Sequence, residues 1–201
     1  MTELNQHDAG IEGAASEQIK HITLPLTDET IDTLHCGDMV ELSGVIYTAR
    51  DAAHARICDA IDKGEKTPFD IAGQVIYYCG PTPAKPGHVI GSCGPTTSGR
   101  MDAFTPKLLD LGLKGMLGKG PRSQEVIDSI KHNHAVYFAA VGGAAALIAQ
   151  SIKEVQVIAY DELGPESVKR MVIENLPCVV AVDSTGENLY AEGPAQYKVQ
   201  A

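Results

Sequence analysis

The 201-residue sequence has no CxxC pair, no surplus of basic residues and no long uncharged apolar run. Each lack excludes a class of protein. The five cysteines, Cys36, Cys58, Cys79, Cys93 and Cys178, are odd in number and scattered, which argues against a disulfide scaffold. With no early signal sequence, reduced thiols in the cytoplasm are expected. The longest apolar candidate, residues 135–148, is interrupted by Gly142 and Gly143, short of the roughly 18–20 residues that a membrane helix needs. A soluble chain with no membrane partner is therefore expected. The net charge of −10 opposes broad nucleic-acid binding, because neutralising phosphates requires a basic surface.

What is present is ordinary globular usage, with 44% hydrophobic and 21% charged residues. That is enough for a real core and for one large domain, or one domain with an appendage, at roughly 100–200 residues per domain. The charge is unevenly spread. Residues 50–122 hold ten Lys or Arg against seven Asp or Glu, whereas the remainder holds six against nineteen. A locally basic middle suits a small anionic ligand, for which a few convergent cations suffice; an ordinary solvated helix face is the competing reading.

Residues 1–19 are polar and acidic without periodicity, which predicts a flexible N-terminal arm before a domain spanning 20–201. Beyond it, short apolar runs and helical spacings alternate. Strands are predicted near His21, over Met39–Thr48, Gln74–Cys79, His88–Ser92, Leu113–Leu117 and Ala135–Val141. Helices are predicted after Thr27, over Arg50–Lys63, over Thr97–Leu111, after Ser123 as N-cap, and after Gly142-Gly143. The C-terminal part reads as strands Glu154–Tyr160 and Val168–Ile173 and a hairpin of Cys178–Asp183 with Asn188–Ala191. The fold class is thus mixed α/β, with parallel βαβ units in the middle and an antiparallel edge or second sheet at the end.

Three strand-to-helix junctions carry unusual residues: Thr48-Ala49-Arg50-Asp51, Gly94 to Arg100 (GPTTSGR), and Gly118 to Ser123 (GKGPRS). Ligands of open α/β sheets bind where strand C-termini meet helix N-termini, because unpaired N–H groups face that crevice. Each junction alone is more simply a cap or turn; three together, each with a cation, point to one anion. Standard phosphate motifs fail, since Leu113 stands where a P-loop needs its first glycine and Gly120 follows Lys119. Cys93, with His54 or His88 as base, is conceivable as a nucleophile, but a cysteine ending a strand is far more often a buried hydrophobe. His132 and His134 lack the spacing of a helical metal pair.

The runs GSCGPTTSGRMD (91–102), TARDAAHAR (48–56), GKG (118–120) and VGGAAAL (141–147) stand in an order and at separations that resemble one family. From about residue 20 to about residue 193 the chain is similar to the β subunit, or fused C-terminal domain, of the iron–sulfur class I fumarases and L-tartrate dehydratases. The resemblance implies a single domain of the swivelling β/β/α type and a hydro-lyase acting on a C4 dicarboxylate. It implies a [4Fe–4S] cluster held by a separate α subunit, none bound by this chain, and a heteromer, α2β2, that is inactive without α. Met1 favours a separate subunit over an excised domain.

Matched residue by residue, the resemblance puts Arg50, Arg100 and Lys119 on the substrate carboxylates, with Thr96 and Thr97 beside them, and gives Thr96 and Arg100 catalytic roles. Thr96 transfers a proton or only orients the substrate; a plain hydroxyl is a poor acid and base near neutral pH unless a neighbour activates it. Asp102 is expected to orient Arg100 or cap a helix, and Arg56 to be solvated or at an interface; the competing reading of Arg50 is an ordinary helix N-terminal residue salt-bridged to Asp51 or to the neighbours of His54. Fumarate, tartrate and methylfumarate are not separable here. A non-catalytic dicarboxylate-binding or regulatory module is the reading from another class.

Overall fold

The computed structural model describes residues 19–140 and 145–191. The proposed arm up to residue 18 and Gly142-Gly143, predicted to open a helix, lie outside them. The strands are β1 (Lys20–Thr23), β2 (Met39–Thr48), β3 (Val75–Tyr77), β4 (Gly115–Gly118), β5 (Val136–Ala140), β6 (Ile152–Ala159) and β7 (Val168–Val182). The α-helices are α1 (Asp28–Ile31), α2 (Asp51–Asp62), α3 (Thr105–Asp110), α4 (Gln124–His132) and α5 (Ala145–Ser151), with 3₁₀ turns at Ser98–Met101 and Asp161–Glu166.

β1 through β5 pair in parallel in that order. β7 then runs antiparallel to β5 and also to β2, so β2, β3, β4, β5 and β7 close into a ring. β1 and β6 extend it on the outside. The mixed α/β architecture with a parallel middle is as the sequence predicts. The predicted antiparallel edge is present as β6, while β7 is the stave that closes the sheet.

Strand periodicity divides the core into two clusters. Val75, Tyr77, Val136, Phe138 and Val180 belong to one cluster, while Ile76, Tyr78, Tyr137, Ala139 and Ala181 belong to the other, packed with Ile57, Leu108 and Val126 from α2, α3 and α4. A two-residue alternation sends neighbouring side chains to opposite faces, so both faces of the parallel strands are apolar. Helix starts follow their caps. Thr27 Oγ1 accepts from Thr30 N at 3.2 Å, and Ser123 Oγ accepts from Val126 N at 3.3 Å.

Three expectations are corrected. Residues 88–92 form no strand; this stretch, which follows the proline-rich run 81–87, has no ladder partner among the described residues. The helix predicted over 97–111 is two pieces, the 3₁₀ turn at Ser98–Met101 and α3, separated by turn residues 102–104. The predicted strands Val168–Ile173 and Cys178–Asp183 are one fifteen-residue β7, and the predicted hairpin reduces to a single Val182–Asn188 bridge, with residues 189–191 helical. No described helix is long and apolar enough to cross a membrane.

Candidate active site

The parallel strands β2, β3 and β4 deliver their C-terminal ends side by side, and the three junctions emerge there. Arg50 is the N-cap residue of α2, Gly80 follows β3, and Lys119 follows β4. The GPTTSGR loop is fastened between the last two. Pro95 bridges to Cys79 and Thr97 bridges to Lys119; Thr96 N donates to Tyr78 O at 2.7 Å and Ser98 N to Lys119 O at 2.8 Å.

A buried polar network fixes these loops. Ser98 Oγ lies 2.9 Å from Tyr137 Oη, which donates to Gly120 O at 2.8 Å, and Gly120 N donates to Tyr190 Oη at 3.1 Å. Tyr77 Oη donates to Cys93 O at 2.6 Å. Burial pushes the Tyr77 and Tyr137 hydroxyls above their usual range, so both stay protonated donors. Gly118 is required by contact: a Cβ there meets Ser98 Oγ at 2.0 Å.

Arg100 pairs with Asp51, Nε donating to Oδ1 at 2.9 Å; Nη2 lies 2.8 Å from Oδ2 as an ion-pair contact without hydrogen-bond geometry. This pairing brings Arg100 to the residue beside Arg50. Arg50 is paired with Glu166, at 3.3 Å, and not with Asp51. The guanidinium of Arg50 lies across Gly80, where a Cβ would stand 2.7 Å from Nη1. Arg50 Nε is buried with no hydrogen-bond partner among the described residues. Lys119 is exposed and has no ion pair among them. Thr96 is half-buried and Thr97 exposed, and neither hydroxyl has a described partner.

Arg50, Arg100 and Lys119, with Thr96 and Thr97, are therefore brought to one end of the sheet. That end is open, since the Arg100 side chain is 50% exposed. Two surface cavities of about 540 and 890 Å³ lie elsewhere, one against Phe69 and Leu111 and one between residues 82–92 and α5. Neither is lined by the three cations.

Asp102 does not serve Arg100. Its carboxylate accepts from Arg122 Nε and from Ser123 N, each at 2.7 Å. Arg122 has a wholly buried side chain, donates through Nη2 to Thr105 Oγ1 at 2.7 Å, and stands over the rings of Tyr78 and Tyr137. It is a staple between the two glycine-rich loops, a role that counting it among the junction cations missed. Arg56 is neither free nor an orphan: it pairs with Glu162 and lies over Tyr160.

His54 is buried, and both its backbone N, at 2.8 Å, and its Nδ1, at 2.9 Å, lie on Arg50 O. A carbonyl only accepts, so Nδ1 carries the proton, and Nε2 has no described partner. Burial lowers the His54 pKa to about 4. Cys93 is buried with its Sγ 3.3 Å from that of Cys79, and burial pushes the Cys79 thiol well up, which suits a packed thiol and not a nucleophile. His132 ends α4, and His134 pairs with Asp32 at 3.1 Å.

Sequence reasoning missed Glu166, Lys169 and the Arg122–Asp102 pair. Asp51 is visible beside Arg50 in the sequence, but its partner is Arg100. Glu166 carries no local signal, lying 114 residues from its contact at Ala52.

The profile of the family described as the fumarase C-terminus matches residues 2–193. Over 173 residues the chain is 40% identical to the putative L(+)-tartrate dehydratase subunit beta of Methanocaldococcus jannaschii, covering 83% of this chain and 89% of that one. It is 39% identical over 155 residues to the aerobic class I fumarate hydratase of Salmonella typhimurium, covering 76% of this chain and 27% of the relative. To fumarate hydratase 2 of Leishmania major it is 39% identical over 158 residues, 78% of this chain and 28% of the relative. The chain thus spans a little over a quarter of the length of these fumarate hydratases.

Proposed function

The chain belongs to the fumarase C-terminus family, and from that membership we propose that it is the β subunit of a hydro-lyase that reversibly adds water across the double bond of fumarate. Its contribution is a cationic cup for the substrate carboxylates. One observation carries this reading: the ends of three neighbouring parallel strands bring Arg50, Arg100 and Lys119 together with the Thr96–Thr97 loop.

The reaction removes a proton from the carbon beside a carboxylate, and charge flows onto that carboxylate. Donors fixed where this charge develops lower the barrier without reorganising. Arg100 is such a donor, held by Asp51 and carried on a loop fastened by two backbone bridges. An arginine fork binds a carboxylate at two points and keeps its charge, while Lys119 adds a mobile point charge. Thr96 orients the substrate through its hydroxyl; among the described residues no group hydrogen-bonds that hydroxyl to make it an acid or base.

The described residues do not fit an iron–sulfur cluster. They include no group of three or more His, Cys, Asp or Glu able to hold a metal, and Cys79 and Cys93 are a buried pair without a third thiolate. We assign the [4Fe–4S] cluster to an α subunit, with the working enzyme an α2β2 heteromer in the cytoplasm and the cup facing that subunit.

The test is co-expression with the cognate α subunit, anaerobic reconstitution and assay of fumarate by absorbance. Arg100→Ala is expected to reduce kcat/KM by about two orders of magnitude or more. Its half-exposed ion pair contributes at most about 1 kcal/mol to folding, so the melting curve stays near that of the parent. An unchanged rate removes Arg100 from the site. A second substrate, L-tartrate, is favoured by one observation: the relative matched over 89% of its length is named for tartrate dehydratase. Assaying both substrates with one preparation decides between them.

A further inference from the structure

The segment from Asp161 to Lys169 has no part in any motif, yet it touches the first junction at every second residue. Thr48 Oγ1 accepts from Lys169 N at 3.1 Å and donates to Ser167 O at 3.4 Å. Arg50 Nη2 lies 3.3 Å from Glu166 Oε1, and Ala52 N donates to Glu166 Oε2 at 3.1 Å. One turn further along α2, Arg56 meets Glu162. The backbone also closes in, since a Cβ on Gly80 would lie 2.7 Å from Arg50 Nη1 and 3.4 Å from Pro165 O. The Arg50 guanidinium thus sits in a slot between the end of β3 and this turn.

A buried lysine shapes the turn. Lys169 is 8% exposed, and its ammonium donates to Gly164 O and Pro165 O, both at 3.2 Å, to Ser167 O at 3.3 Å and to Ser167 Oγ at 2.7 Å. It has no carboxylate partner among the described residues. Four oxygens around one ammonium satisfy more than its three protons and wrap the turn around it. Burying a charge this way is costly unless its donors are occupied, so the turn and the lysine specify each other.

We propose that Glu166 is a positioning residue for Arg50, and that Lys169 sets Glu166 by folding the turn that carries it. This rests on the reading of Arg50 as a carboxylate-binding residue. Glu166 is suited to the task because both groups that meet it, Ala52 N–H and Arg50 Nη2, are donors, and only an ionised carboxylate offers an acceptor oxygen to each. One oxygen is anchored on the first turn of α2, and the other fixes the direction of the guanidinium. Each arginine of the cup then has its own carboxylate holder, Asp51 for Arg100 and Glu166 for Arg50, and the substrate meets forks that are already aimed.

Charge and positioning predict opposite signs, which makes the role testable in the α–β complex. Glu166→Gln removes a negative charge beside Arg50. If Glu166 only screened the cup, KM for a dianionic substrate would fall. If it aims Arg50, the amide presents –NH₂ to one of two donors, the fork is released, and KM rises by about tenfold with a smaller change in kcat. The rise must vanish when Arg50 is absent: Arg50→Ala and Arg50→Ala/Glu166→Gln are expected to have equal KM within twofold. Lys169→Met is expected to reproduce the KM rise if the variant melts as a folded protein.

A fall or no change in KM for Glu166→Gln, while Arg50→Ala raises KM, overturns the positioning role and leaves the cup intact. The same role is overturned if Glu166→Gln raises KM further in the Arg50→Ala background. If Arg50→Ala itself leaves KM and kcat unchanged, the carboxylate-binding reading of Arg50 fails and the role of Glu166 falls with it.

Discussion

Removing the Asp102 carboxylate is expected to be among the most damaging single changes in this chain. The substitution Asp102→Ala leaves the Arg122 guanidinium in place with its side chain wholly buried, no counter-charge, and only Thr105 Oγ1 and a distant Met116 sulfur, at 3.7 Å, as acceptors. The faces of Tyr78 and Tyr137, 5.4 and 5.1 Å from the guanidinium carbon, offer partial relief. Breaking a buried pair from one side costs about 3–5 kcal/mol, of which the tyrosines return roughly 1–2 kcal/mol at most. Losing the Ser123 N contact, which tethers the start of α4, adds roughly 1 kcal/mol. A net loss of about 2–5 kcal/mol, centred near 3–4, is therefore expected.

Urea unfolding of the isolated chain, followed by circular dichroism, measures that loss, and a melt should fall by roughly 6–16 °C at about 2–4 °C per kcal/mol. The double variant Asp102→Asn/Arg122→Met should recover at least 2 kcal/mol of the sum of its single changes, because no uncompensated charge then remains buried. A loss below about 1 kcal/mol for Asp102→Ala, or additive singles, refutes the staple.

Two other expectations follow from close contacts and burial. Gly80→Ala brings a methyl group against the far end of Arg50, a flexible side chain that can move, so the fold should melt within a few degrees of the parent while kcat/KM of the α–β complex falls at least tenfold; unaltered kinetics show that Arg50 need not lie in its slot. His54 is neutral in the fold until about pH 4, whereas in the unfolded chain it takes up a proton near 6.5. Between those values the unfolded state binds more protons, so stability is full above pH 6.5 and declines as pH falls towards 4, by roughly 3 kcal/mol in all. The His54→Gln variant should lose that part of the slope in urea titrations from pH 7 to 4.5, and parallel slopes would contradict the neutral, buried state.

The predicted elements were legible wherever local chemistry decided them. Thr27 and Ser123 as caps, the uninterrupted Met39–Thr48 strand and the α2 spacing are properties of a few adjacent residues. The helix over 97–111 failed because its apolar spacing is shared by a 3₁₀ turn and a separate helix, while the loop before it is committed to bridges with Cys79 and Lys119. The predicted strands Val168–Ile173 and Cys178–Asp183 are joined for the opposite reason: Asn175, with φ of 50°, bends β7 without ending it. The closure of the ring was invisible because β7 pairs with β2 across more than a hundred residues. In the candidate site the cations were legible from the junction motifs, and their holders were not. Asp51 reads as a partner of its sequence neighbour Arg50, yet it binds Arg100, 49 residues away; Glu166 stands in an unremarkable acidic stretch; and Arg122, in the same junction as Lys119, is neutralised inside the protein by Asp102.

The five-stave ring has a mechanical consequence. An open sheet can splay or slide at a free margin, but here the three strands that present Arg50, Gly80 and Lys119 belong to a circuit closed by β7. Neighbouring staves stay about 4.8 Å apart, and no one of them can slip without breaking pairings on both flanks. The spacing of the strand ends that carry these groups is consequently a fixed gauge, and any rearrangement between them falls to the side chains and loops rather than to the strands.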